Sequence, residues 1–305
     1  MKPGYIAFVN SGLPPLRSEP VLFDRDLALT EEPLATSDRG PLVRRFRGTF
    51  SDRWFIDRAL HGGHVIAAMV RAVEAAVEDP KRAIRSLTNH YVLPAKAGAF
   101  HIDVTIERSG RTLTNVSARL VQNDQTVGLA LAALGGPWES YEWDHTTMPT
   151  VANPEDCPDL WGNTGGFTNL HRNWRYNLAM GPAMKSGQIA DTERKESISG
   201  GWVRLAEPRP VDAAVAAALT DTWVPMPFPF ADDAHPIMFP TIELTVHFLD
   251  PLPLADDTGI EPCLVWHRID TSRSGFVLQD TEVWTRSGRL IARGRQKALL
   301  IPVTR

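Results

Sequence analysis

The chain has 305 residues, 43% hydrophobic and 22% charged, enough for two globular domains of ordinary size. A net charge of −4 gives no footing for nucleic acid, although a small anionic ligand depends only on local charge. Two cysteines in dissimilar contexts, Cys157 and Cys263, no apolar leader at the N-terminus and no stretch fit to span a membrane point to a cytoplasmic protein with reduced thiols.

Residues 1–20 carry four prolines and little pattern, and are expected to form an irregular arm. FDRDLALTEE (23–32) and LVRRFRGTF (42–50) read as strands either side of a Pro/Gly turn. An aromatic loop, 51–64, ends in Gly62-Gly63 and opens a helix predicted over 63–78. That helix is apolar except for a stripe of His64, Arg71, Glu74 and Glu78, so most of its surface must be enclosed. Strand signals follow to about residue 136; Ile102, Val104 and Ile106 alternate with polar neighbours, and Asn123-Asp124 suits a hairpin turn. Residues 137–164 mix Pro, Asp, Trp and Asn without period and read as a linker, with WESYEWDHTTMP expected to cross the molecule packed by its tryptophans. Strands are predicted within 167–180 and 198–208 around a polar loop. An Ala-rich helix is predicted over 211–223 and stopped by prolines from Pro225 onward.

The order of elements repeats. LTNHYVLP (87–94) returns as LTVHFLDP (244–251): Thr88, His90, Tyr91 and Pro94 become Thr245, His247, Phe248 and Pro251 at one spacing of 157 residues. Each copy follows a buried-helix candidate and precedes β-type runs. The expected fold class is α+β: two modules in tandem, each an antiparallel sheet wrapped round a long buried helix. The first spans 23–136 and the second 165–305, joined by the linker 137–164.

Three polar positions stand out in the second half. Asp221 lies in the last turn of the Ala-rich helix, at the negative end of its dipole, where burial would further disfavour its charge. If that end reaches water the residue is harmless; if not, it needs a partner or a purpose. Gln296 lies between Arg295 and Lys297, so strand alternation turns its amide inward if they face solvent. Thr241 precedes the repeated strand. No GxSxG elbow and no Gly-rich phosphate loop is present. His61-Gly-Gly-His64 is half a metal site without a second pair of ligands, so neither metal nor cofactor is expected.

With these residues in view, the chain resembles the double hot-dog acyl-CoA thioesterases of the bacterial thioesterase II type, over about 40–305. Gly62-Gly63 matches the pair that opens that family's first helix, YVLP (91–94) its following strand, and SGRLIARGRQ (287–296) its closing stretch. The resemblance implies an acyl-CoA substrate and hydrolysis by water held among Asp221, Thr241 and Gln296. Backbone N–H groups at Gly62, Gly63 and His64 are the candidates for the oxyanion and the substrate. The sequence departs from the family at Glu243-Leu244, usually Asp-His, and at His64, usually Gln. Two rival readings stand beside hydrolysis: an acyl-CoA hydratase or dehydratase, which would use an Asp and His pair at the helix, and an acyl-CoA binding protein with a degenerate site. A homo-oligomer of double hot-dog chains is compatible with all three, while nucleic acid and membrane partners are not expected.

Overall fold

The structure is a computed structural model that describes residues 20–33, 42–56, 58–161, 168–181, 184–185, 188–189, 198–224 and 237–302. The predicted arm up to residue 19, the Pro/Gly turn at 34–41, the prolines from 225 and most of the polar loop at 185–196 lie outside those residues.

A short helix α1 (Leu22–Asp26) precedes strands β1 (Thr30–Glu32) and β2 (Leu42–Phe50). The long helix α2 (Gly62–Val77) follows, then β3 (Ala83–Tyr91), β4 (Gly98–Ser109), β5 (Leu113–Gln122) and β6 (Gln125–Gly135). The second half repeats the scheme. After the four-residue helix α3 (Asn169–Arg172) come β7 (Trp174–Met180), β8 (Ile198–Leu205), α4 (Ala213–Thr222), β9 (Thr241–Phe248), β10 (Cys263–Arg273), β11 (Phe276–Trp284) and β12 (Leu290–Leu299).

These twelve strands join one antiparallel sheet in the order β1-β2-β4-β5-β6-β3-β9-β12-β11-β10-β8-β7. Read outward from the centre, the two halves are the same list with six added to each number. The modules join where the repeated strands pair, β3 with β9, and there Thr88 stands opposite Thr245. These two are each other's counterparts in the repeat, so a pseudo-twofold axis passes between them. Their hydroxyls meet at 2.9 Å.

The sheet wraps the two helices, which is why they are apolar nearly all round. Ile66, Ala67, Ala68, Met69, Val70, Ala72 and Val73 of α2 are fully buried, as are Ala214, Ala216 and Ala217 of α4. α2 and α4 pack on each other, and the alanines and Gly63 let them come close: a Cβ on Gly63 would lie 2.7 Å from the Ala218 carbonyl oxygen. The Asn123-Asp124 turn appears as expected, both residues at positive φ.

Three expectations need correction. Residues 22–26 are helical, not extended, because Phe23 is drawn into the core against Trp54, His64 and Trp174, and local alternation does not decide so short a piece. The first part of the strand expected over 167–180 is α3. The segment after residue 136 does not pack through its tryptophans: Trp138 and Trp143 are 66% and 75% exposed.

Candidate active site

Asp221 sits in the final turn of α4, largely withdrawn from water. Its side chain is 11% exposed, facing the first turn of α2. Four groups surround it. The Gly63 amide and the Gln296 side-chain amide face the carboxylate, and each favours its charged form. His61 Nε2 lies 3.2 Å from Oδ2 and 2.8 Å from the Asp221 main-chain oxygen. Gly62 supplies bare backbone: a Cβ there would stand 2.8 Å from Oδ2 and 3.3 Å from the Tyr91 hydroxyl. Burial raises the Asp221 pKa, and His61, the Gly63 amide and Gln296 partly offset that. Tyr91 donates its hydroxyl to the Gly62 carbonyl at 2.9 Å. Burial and the Asp221 charge push its pKa well up, so it is a phenol, not a phenolate.

Gln296 is 2% exposed on β12. The alternation that turns Arg295 and Lys297 outward points it under the sheet. Thr241, first residue of β9, donates its hydroxyl to Gln296 Oε1 at 2.6 Å. Hydroxyl, amide and carboxylate thus lie together, Thr241 bonded to Gln296 and Gln296 facing Asp221, supplied by β9, β12 and α4 and ending at the N-terminus of α2.

The structure gives two of the predicted backbone donors other work. The Gly63 amide serves Asp221, and the His64 amide bonds the His61 carbonyl at 3.0 Å. The His64 side chain leaves the site altogether: it is 1% exposed, stacked on Trp54 and edge-on to Phe23 and Phe50. Burial lowers its pKa well below the usual histidine value. It is a core residue, and the polar stripe expected on α2 loses its first member.

Sequence reasoning did not assign His61 to the site, although its place before the glycine pair was a signal. It also passed over His267 and Gln279, on inward-facing positions of β10 and β11 behind Gln296. Gln279 stands opposite Gln296 in the register, and its amide nitrogen lies 3.0 Å from His267 Nδ1. The Thr220 backbone of α4 faces the same ring. In the first module the matching positions for Gln296, Gln279 and His267 are Ala132, Val116 and Val104, all apolar. The polar lining belongs to the second module alone. Among the described residues no group of three or more His, Cys, Asp or Glu could hold a metal ion.

Comparison with known proteins decides the family. Residues 50–135 match the model described as the acyl-CoA thioesterase N-terminal domain, and residues 154–300 the acyl-CoA thioesterase C-terminal domain, together about three quarters of the chain. The chain belongs to the acyl-CoA thioesterase family.

Its family fold is the double hot-dog. A hot-dog protein of unknown function from Alicyclobacillus acidocaldarius superposes with a TM-score of 0.76 at 25% identity, over 94% of this chain and 100% of that one. A candidate thioesterase II from Thermobifida fusca does so with a TM-score of 0.74 at 19% identity, over 95% and 99%. An uncharacterized protein of Mycobacterium bovis is 27% identical over 120 residues, covering 38% of this thioesterase-family chain and 40% of the relative. The two cysteines of this family member are unpaired and buried, with burial pushing Cys263 up to about 12, so neither is a nucleophile in waiting.

Proposed function

We propose that the chain hydrolyses acyl-CoA thioesters with water activated at Asp221, Thr241 and Gln296, without a covalent acyl intermediate. The observation that carries the reading is the grouping of hydroxyl, amide and acid brought from three elements to the first turn of α2. Thr241 and Gln296 offer donors and acceptors that hold a water. Burial raises the Asp221 pKa, which makes its carboxylate a better proton acceptor. It takes the proton as the water oxygen adds to the thioester carbon. The adduct then collapses: the C–S bond breaks, the proton passes from Asp221 to the departing sulfur, and the products are a carboxylic acid and free CoA. For the oxyanion we assign the Gly62 amide, first of α2 and at the positive end of its dipole. Gly62 and Gly63 also leave the backbone bare enough for a thioester to come alongside.

The dehydratase reading gains one observation, the His61–Asp221 contact. The ring is turned the wrong way for it. Nε2 faces Asp221, and Nδ1 is buried beneath Gly63, where an added Cβ would lie 3.0 Å from it. Neither nitrogen is presented to a substrate carbon, so hydrolysis is the better reading.

A thiol-release assay across acyl-CoAs of graded length tests the proposal. Release of free CoA with at least one acyl chain, and no enoyl-CoA product, is expected. Binding of acyl-CoA with no release at any length would favour the degenerate binding protein instead.

A further inference from the structure

His61 occupies the N-cap of α2 yet makes no capping bond to its own helix. Residues at that position normally turn an acceptor onto their own first-turn amides. Here the ring reaches instead to the other helix, 160 residues away in sequence, and bonds the Asp221 carbonyl at 2.8 Å. The last carbonyls of a helix lack partners within it, and a buried helix end must find donors elsewhere. A carbonyl only accepts, so Nε2 carries the hydrogen. Nε2 also lies 3.2 Å from Oδ2, so the same nitrogen that donates to the backbone oxygen faces the carboxylate of that residue. Nδ1 is buried without a partner against Gly63.

We propose that His61 is a positioning residue for Asp221: its Nε2–H pins the end of α4 through the main-chain carbonyl and aims the carboxylate at the first turn of α2. The proposal rests on the hydrolytic reading for its kinetic consequences only. His61 itself touches no substrate. The titratable groups around it are Asp221 from α4, His64 on its own helix, His171 from α3 and, across Asp221, Tyr91 from β3. Of these only Asp221 shares the Nε2 hydrogen. A donor facing the carboxylate favours its charged form, so losing the donor lets Asp221 hold its proton to higher pH.

The experiment has two arms on the full-length chain. By NMR, the 13Cγ signal of Asp221, assigned with Asp221→Asn, is titrated in wild type, His61→Phe and His61→Gln. The midpoint should move to higher pH in H61F and return toward wild type in H61Q, whose amide can donate from a similar place. By kinetics, H61F should lose about tenfold or more in kcat with KM within about twofold, its acid limb moving up with the NMR midpoint. An unmoved Asp221 midpoint in folded H61F, or H61Q indistinguishable from H61F, overturns the proposal whatever happens to thermal stability. Should H61F not fold, 15N shifts of the His61 ring in wild type still decide: an Nε2–H tautomer is required, and an Nδ1–H tautomer refutes it. If wild type hydrolyses no acyl-CoA, the functional reading fails, while the NMR arm judges His61 independently.

Discussion

A carboxylate beneath a sheet is costly, and His61, the Gly63 amide and Gln296 partly offset that cost for Asp221. Its raised pKa has a thermodynamic consequence with a definite sign. The folded chain holds this proton to higher pH than the unfolded chain does. The stabilisation is therefore complete below the unfolded pKa and lost as pH rises through the folded one. Urea midpoints measured against pH should fall more steeply through that window in wild type than in Asp221→Asn; equal slopes would argue that the carboxylate is not buried. For the hydroxyl, Thr241→Ser should stay within a few-fold of wild type, because the Oγ bonded to Gln296 is kept. Thr241→Ala and Gln296→Ala should each lower kcat by about tenfold to a hundredfold, below the cost of losing a full oxyanion donor. A Thr241→Ser loss as large as that of Thr241→Ala would show that the hydroxyl is not what matters there.

At the scale of elements, the site is the meeting of the start of one helix with the end of the other, and its tolerance is set by Gly63. A Cβ at that position would lie 2.5 Å from His61 Cε1 and 2.7 Å from the Ala218 carbonyl. Neither is the loose end of a flexible side chain, so Gly63→Ala should push α2 and α4 apart, costing about 1–3 kcal/mol in chemical denaturation and lowering kcat more than any exposed helix substitution. Wild-type stability in Gly63→Ala would mean the helices are not in contact there. The same meeting explains what could be read without coordinates. Gln296 was legible because strand alternation between two charged residues is a local signal. Asp221 was legible as an anomaly, a charge at the wrong end of an apolar helix. His61 was not, since its partner lies 160 residues away and only the crossing of the helices brings them together. His64 looked polar-faced from its spacing on α2, yet α1 and the 51–54 segment close over that face with Phe23 and Trp54.

For the whole molecule, the repeat in the sequence is a repeat in space, but among the described residues the polar set of the candidate site is not repeated across the axis between Thr88 and Thr245. Register places Ala132 where the first site has Gln296, and Ile84 where it has Thr241. Near the far ends of the helices an ion-paired cluster of Arg71, Asp24, Arg209 and Asp212 takes the place of the site. One active site per chain is therefore expected, and titration with a tight-binding substrate analogue should reach one equivalent; two equivalents would contradict the asymmetry. Three histidines, His64 and His267 buried and His171 half-buried, set the acid limit of the fold. Burial holds His64 well below the usual value, His171 at about 4 and His267 at about 3. Each is neutral when folded and takes up a proton on unfolding once pH falls below its unfolded pKa, so stability drops in that direction. At about 1.4 kcal/mol per pH unit for each proton, three such groups make the decline between about pH 6 and pH 4 steep. A flat unfolding free energy over that range, measured by urea titration, would mean these rings are solvated.

The central claim is that Asp221 is the base that activates water for thioester hydrolysis. It is tested most directly by the thiol-release rate of Asp221→Asn beside wild type on the best acyl-CoA, with circular dichroism confirming that both are folded. A fall in kcat of about a thousandfold or more at an unchanged fold is the predicted result. A folded Asp221→Asn that hydrolyses acyl-CoA within a few-fold of wild type would contradict it.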